Sequence, residues 1–186
     1  SLPYLLATDL TNIPIKQRYI FANEKKITYW KKQLNNKKLK IGINWYGSKD
    51  DKSFKLNNFK KIAELPNVQL ISLQKGESEK DLKNVDFPIK SFDGEIDNDG
   101  DAFVDTAAII VNCDLIITCD TSIAHLSGAL GKKTWIILKK IPDWRWMLNR
   151  SDTPWYKNAI LFRNTNIKNW KPVFDKIYKK IKTNNI

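Results

Sequence analysis

The sequence predicts an α/β fold, a Rossmann-like parallel sheet with helices on both faces. Three observations predict it. Short apolar runs rich in β-branched residues, such as Leu115–Cys119 and Thr134–Leu138, alternate with segments of helical periodicity. Several runs are apolar at every position, as a strand covered on both sides requires. The 186 residues are 42% hydrophobic, which is enough for one core with an appendage.

Residues 1–37 read differently from the rest. Ser1 to Pro14 carries turn signals and little periodicity, after which Ile20, Ile27, Trp30 and Leu34 punctuate a Lys-rich, helical stretch ending at Asn35-Asn36. Residues 38–186 are expected to form the α/β domain. Leu39–Trp45 is its first strand and Tyr46–Lys55 a polar loop. A helix follows from Asn58, carrying Phe59, Ile62, Ala63 and Leu65. Val68–Leu73 is the second strand, with Gln74-Lys75-Gly76 turning out of it, and Pro88–Phe92 a short third. Gly94–Asp101 is an acidic, turn-rich loop. Its alternating Asp97, Asp99 and Asp101 lack the closing Glu of a calcium loop. Asp105 or Thr106 is the expected cap of a helix through Ala107, Ala108, Ile109 and Val111. Strands at 115–119, 134–138 and 159–162 follow. A last helix sets Trp170, Val173, Phe174, Ile177, Tyr178 and Ile181 on one face and Lys on the other. It reads as docked on its own sheet rather than on a membrane surface.

The most informative stretch is Asp120–Leu130. It joins two buried strands through a tight turn and a helix that Gly131 stops. Asp120, Thr121 and Ser122 stand where the strand ends and the helix begins. Free N–H groups and the positive end of the helix dipole converge there, which suits a phosphate; the same residue types also serve as plain N-caps. His125, the only histidine, falls one turn later and can point toward the same mouth or serve as a structural residue. In a parallel sheet ligands bind beyond the carboxyl ends of the strands. Tyr46–Lys55, Gln74–Gly76, Gly94–Thr106 and Asp120–His125 are therefore expected along one edge.

Charge narrows the function classes. The net charge of +12 sits at the two ends: residues 1–40 carry +7 and 168–186 carry +5, while the middle 127 residues balance at 17 basic against 17 acidic. Only Arg18, Arg145, Arg150 and Arg163 are arginine, and Lys travels with Asn and Ile, as an A/T-rich codon bias produces. That distribution argues against nucleic acid as a partner. It leaves peripheral contact with an anionic membrane face as an alternative role for the ends. No stretch approaches the ~20 apolar residues of a membrane span, and no charged-then-apolar secretory signal opens the sequence, so a cytoplasmic location is expected. Cys113 and Cys119 read as buried small hydrophobes, and one histidine with no Cys/His cluster makes a zinc site unexpected.

Six segments occur in order: Gly42–Gly47, Ser72–Gly76, Asp105–Ala108, Asp114–Gly131, Pro142-Asp143-Trp144-Arg145-Trp146 and Pro154-Trp155-Tyr156. Together they resemble the C-terminal glycosyltransferase-like domain of bacterial tetratricopeptide-repeat proteins. The central one is similar to the Asp-Thr-Gly-x-x-His motif of heptosyltransferases, with Ser122 in place of Gly. The resemblance covers about residues 39–170, and the opening Ser1–Leu5 is similar to the segment that precedes the domain. It implies the donor-binding half of a GT-B glycosyltransferase, which needs no metal or other cofactor and takes a nucleotide-diphosphate sugar as substrate. The general base would lie on an N-terminal domain, and residues 1–37 would connect to it. Carried over by position, Asp120 would contact donor sugar hydroxyls. Thr121 and Ser122 would present N–H groups to the diphosphate, with His125 nearby. Ser48 and either Lys52 or Lys55 would bind phosphate, and Gln74 and Lys75 would sit near the nucleoside. Arg145 would either reach phosphate at the cleft mouth or stack within its Trp-rich loop.

Overall fold

A computed structural model describes residues 2–15, 17–48, 50–92, 94–98, 100–166 and 169–183. Asp99 of the calcium-like pattern and Ser1 of the opening segment lie outside the described residues. The element order is α1 (Leu2–Leu5), α2 (Glu24–Gln33), β1 (Leu39–Asn44), α3 (Lys60–Ala63), β2 (Val68–Ser72), β3 (Ile89–Lys90), α4 (Val104–Asn112), β4 (Leu115–Cys119), α5 (Ser122–Ala129), β5 (Thr134–Leu138), β6 (Ala159–Arg163) and α6 (Lys171–Lys182). Single 3-10 turns cover 50–52, 56–59 and 144–146, and a longer 3-10 stretch covers 77–84.

The six strands form one sheet in the order β3-β2-β1-β4-β5-β6, and every pairing is parallel. This is the doubly wound order, and the chain reverses direction across the sheet between β1 and β4. Leu115–Cys119 and Thr134–Leu138 are buried at every position, which is why they read as uninterrupted apolar runs. One layer packs Phe54, Phe59, Ile62, Phe174, Ile177 and Ile181 against Ile41, Ile43, Ile117 and Trp135. The opposite layer packs Trp30, Ile109, Ile110, Ile123 and Leu130 against Ile71 and Ile116. The apolar face of α6 therefore covers the sheet, with Phe174 edge-on to both Phe54 and Phe59 at 5.0 Å.

The Lys-rich stretch is docked. Asn23 caps α2 by accepting from the amides of Lys25 and Lys26. Trp30 is buried, packs edge-on to Phe92, and donates its indole N–H to Asp105 Oδ1 at 2.7 Å. Lys26 reaches the same carboxylate at 2.9 Å. Desolvation works to raise the Asp105 pKa, but the Trp30 and Lys26 hydrogen bonds outweigh it and hold the carboxyl below its ordinary value.

The helix cap in this region differs from expectation. α4 begins at Val104, and neither Asp105 nor Thr106 is its N-cap; Phe103 is, in a left-handed conformation at φ 70°. The capping acceptor comes from the acidic loop. Asp97 Oδ1 accepts from the amides of Asp105 (2.6 Å) and Thr106 (3.2 Å), while its Oδ2 takes the Thr106 hydroxyl. Asp105 answers by accepting from the Asp97 amide at 3.1 Å. The exchange is reciprocal, like a capping box spread over eight residues.

Glycine matters at two places on α5. Gly131, at φ 72°, ends the helix, and a Cβ there would stand 2.6 Å from the Gln17 carbonyl. A Cβ on Gly128 would strike the Tyr156 ring. The helix thus accepts the N-terminal segment on one side and Tyr156 on another, and the amides of Tyr19 and Ile20 both bond the Ala129 carbonyl. Both cysteines are free and buried, and burial pushes each thiol up to about 12, so they remain inert hydrophobes at neutral pH.

Candidate functional site

A cleft of about 630 Å³ opens beyond the carboxyl ends of β1, β2 and β4, at the reversal in strand order. All four segments expected along that edge contribute to it: Tyr46, Gly47 and Ser48; Gln74 and Lys75; Asp97, Phe103 and Thr106; and Asp120, Thr121 and Ser122.

Its floor is organised by Asn44, the last residue of β1. Asn44 Oδ1 accepts from the Thr121 hydroxyl (2.8 Å) and the Thr118 hydroxyl (3.1 Å), and its amide donates to Gln74 Oε1 (2.8 Å). One side chain therefore ties together the ends of β1, β2 and β4. Gln74 Oε1 also receives the Tyr46 amide at 3.0 Å and the Trp45 amide at 3.3 Å, and its Nε2 donates to the Lys75 carbonyl. The carboxamide of Gln74 is thus spent on the backbone of the cleft wall. Sequence reasoning assigned no role to Asn44. The available signal was an amide closing the apolar run Ile41–Ile43, where a buried polar group must find partners.

Thr121 is the N-cap residue of α5, yet its own side chain makes no capping hydrogen bond to that helix. Its hydroxyl turns down to Asn44 instead of across to the first-turn amides. The Ala124 amide bonds back to the Thr121 carbonyl at 3.0 Å, so it is the Ser122 and Ile123 end of the helix, with the positive end of the dipole, that lines the cleft. Beside them, Lys52 Nζ donates to Asp120 Oδ2 at 3.1 Å, with the Asp120 carboxylate almost wholly buried. Gly47 lets the β1 loop approach closely, since a Cβ there would lie 3.0 Å from the Thr121 methyl. Cation, carboxylate and helix N-terminus occupy one corner. Among the described residues, no group of three or more His, Cys, Asp or Glu is arranged to hold a metal ion.

Not every expected residue belongs to this cleft. Between the two lysines, the structure brings Lys52 to Asp120. Lys55 is exposed and precedes the 3-10 turn at 56–59, where its carbonyl accepts from Asn58. Lys75 lines the wall but sends its ammonium to the Ile96 carbonyl. His125 and Arg145 line a separate cavity of about 490 Å³ with Ile13, Tyr19, Trp155 and Tyr156. There Arg145 Nε pairs with Asp143 at 2.9 Å and its Nη1 donates to His125 Nε2 at 3.3 Å. Arginine is always a donor, so that nitrogen must accept, and the His125 proton sits on Nδ1, 2.9 Å from the Tyr156 hydroxyl. The ring also stacks on Trp146, with centroids 5.3 Å apart. Burial, and then the Arg145 charge, lowers the His125 pKa, so the neutral form is favoured. In the Trp-rich loop Trp146 is fully buried while Trp144 is 77% exposed.

These features define a doubly wound, Rossmann-like domain with an anion-suited corner at its switch point. Comparison with solved structures agrees on the fold. The chain superposes on an Escherichia coli ADP-heptose lps heptosyltransferase II with a TM-score of 0.65 at 12% identity, covering 88% of this chain and 52% of that one. A glycosyl transferase family 9 protein from Veillonella parvula gives 0.60 at 13% identity, over 90% and 46%. Escherichia coli heptosyltransferase WaaC, solved with ADP-2-deoxy-2-fluoro heptose, gives 0.54 at 14%, over 79% and 44%. The chain thus spans about half the length of these glycosyltransferases, and what it shares with them is the heptosyltransferase-like α/β fold. No family model and no curated protein matches it in sequence. No helix among the described residues is long and apolar enough to cross a membrane.

Proposed function

We infer that the chain is the donor-binding half of a metal-independent nucleotide-sugar glycosyltransferase that transfers a sugar to an acceptor hydroxyl. The observation that carries this reading is the N-terminus of α5, not capped by its own Thr121 side chain, which lines the switch-point cleft beside Asp120, the carboxylate that Lys52 pairs with. The fold shared with glycosyltransferases supports it, and so does one of them having been solved with ADP and with an ADP-sugar analogue.

In this reading the diphosphate of the donor lies against the first-turn amides of α5, with Ser48 beside it. Lys52 swings between Asp120 and a phosphate oxygen. Asp120 accepts hydrogen bonds from hydroxyls of the donor sugar. The acceptor oxygen bonds to the anomeric carbon as the bond to the diphosphate oxygen breaks, and the diphosphate leaves with that electron pair. The α5 dipole, its amides and Lys52 stabilise the charge that develops there, in a site already organised before reaction. A base on a second domain takes the acceptor's proton. In this reading the segment 1–37 is the connection to that domain. The expected partners are the donor and the second domain, with no nucleic acid.

The test is a thermal-shift panel of UDP, GDP, ADP, CMP and their sugars, with EDTA present. A ligand at about 100 times its dissociation constant stabilises by about 2.7 kcal/mol, a shift of several degrees. The expected result is a selective shift that disappears in Asp120→Ala and Thr121→Pro, with no sugar transfer by the chain alone. If no nucleotide shifts either this chain or a longer polypeptide containing the second domain, the fold is serving as a non-catalytic binding module.

A further inference from the structure

We propose that Phe103 is the platform on which the nucleobase of the donor stacks, and that its backbone is held in a left-handed conformation to present the ring. The inference rests on the donor reading above. A phenylalanine at φ 70° occupies a region that glycine or asparagine would adopt with little strain. Such outliers persist where the surrounding structure over-determines them. Here the determinants are visible. Asp97 clamps the amides of Asp105 and Thr106, the two residues next but one and next but two beyond Phe103's own position, and Asp105 is in turn fixed by Trp30 and Lys26. This brace leaves the Phe103 ring lining the cleft and 44% exposed. Among the described residues no aromatic ring pairs with it.

Topology sets what the ring can meet. β2 and β3 lie on one side of β1, and β4 on the other. The anion corner at Asp120–Ser122 follows β4, whereas Phe103 belongs to the connection that leaves β3 and enters α4. A ligand with its diphosphate at α5 therefore extends its nucleoside toward the β2–β3 side, where the cleft offers an unpartnered aromatic face. A flat heterocycle is the part of that ligand with a matching face. Stacking on one ring is tolerant of base identity, so Phe103 supplies affinity for the base while polar neighbours decide which base is chosen.

The experiment is calorimetric titration of the protein with ADP, UDP, GDP and CDP, and with base-free ribose 5-diphosphate, using wild type, Phe103→Gly and Phe103→Tyr. Glycine removes the ring and also suits the left-handed backbone, so thermal stability is expected to hold or rise. The expected result is that Phe103→Gly weakens the preferred nucleoside diphosphate about 5- to 100-fold, leaves ribose 5-diphosphate within about twofold, and that Phe103→Tyr retains wild-type affinity. Unchanged nucleotide affinity in Phe103→Gly overturns the proposal, as does an equal loss for the base-free ligand. If wild type binds ribose 5-diphosphate as tightly as any nucleotide, the base is not held and the proposal also falls, while the donor site stands. If neither wild type nor a longer polypeptide containing the second domain binds any of these ligands, it is the donor reading itself that has failed.

Discussion

Two helices begin at the same cleft and treat their first turns in opposite ways. α4 is closed by the Asp97 carboxylate, which accepts from two of its amides. α5 has a threonine at the capping position and does not use it, because the hydroxyl is committed to Asn44. Both N-termini carry the same partial positive charge. In the first, the protein supplies the negative partner and the result is structural. In the second, the side chain at the capping position supplies no such partner. The contrast teaches that a capping residue type does not by itself make a cap; what the side chain is otherwise bonded to decides.

The largest expected effect on stability is at α4. Asp97→Ala removes the acceptor for two buried amides and should cost about 2 kcal/mol by urea denaturation. Asp97→Asn keeps an acceptor and suits the positive φ at this position, so it should cost less than half as much. Equal losses would mean that the loop's conformation, and not the cap, is what matters. At α5 the converse change is Thr121→Asp, which offers that helix the carboxylate α4 already has. Stability should stay within about 1 kcal/mol of wild type, since the gained cap offsets the lost Asn44 bond. Affinity for a nucleoside diphosphate should fall at least tenfold, roughly 1.4 kcal/mol, because a fixed anion now fills the corner. Undiminished binding would remove α5 from the site.

The smallest effect concerns His125, one turn further along α5, whose ring lines the second cavity. Its folded pKa lies below the ordinary 6.5, so between those two values the unfolded chain binds more protons than the folded one. Stability is therefore complete above about pH 6.5 and declines as pH falls below it. The melting temperature of His125→Gln should lose that part of the acid-side slope while the rest of the profile is kept. An identical slope in the variant would show that other groups carry it.

Much of this was legible because it is local. The strands at 115–119 and 134–138 are continuous apolar runs, and the turn at Asp120–Ser122 with its Gly131 stop follows from residue types within one helical turn. The reading of α6 as docked also held, for Phe174 and Ile177 repeat at the period that buries one face. What was misread depended on partners distant in sequence. Asp105 looks like a cap, but its carboxylate belongs to Trp30, 75 residues earlier. Lys52 and Lys55 could not be separated by composition; the backbone turn at 50–52 carries only the first toward Asp120. His125 has the helical phase of Ser122 plus three residues, yet Arg145, Tyr156 and Trp146 draw its ring into a second cavity.

By itself, then, the sequence determined the alternation of strand and helix, the parallel character of the sheet and the presence of a polar turn at the mouth of α5. Periodicity and short-range sterics act over a few residues, and a reader of the chain has all of those in view. Tertiary structure alone decided the strand order that makes β1 and β4 neighbours, the choice of Asn44 as the knot between them, and which helix terminus stays open. Those outcomes depend on which distant groups meet once the sheet has formed, and a buried hydrogen-bonding group takes the partner that the packing brings to it.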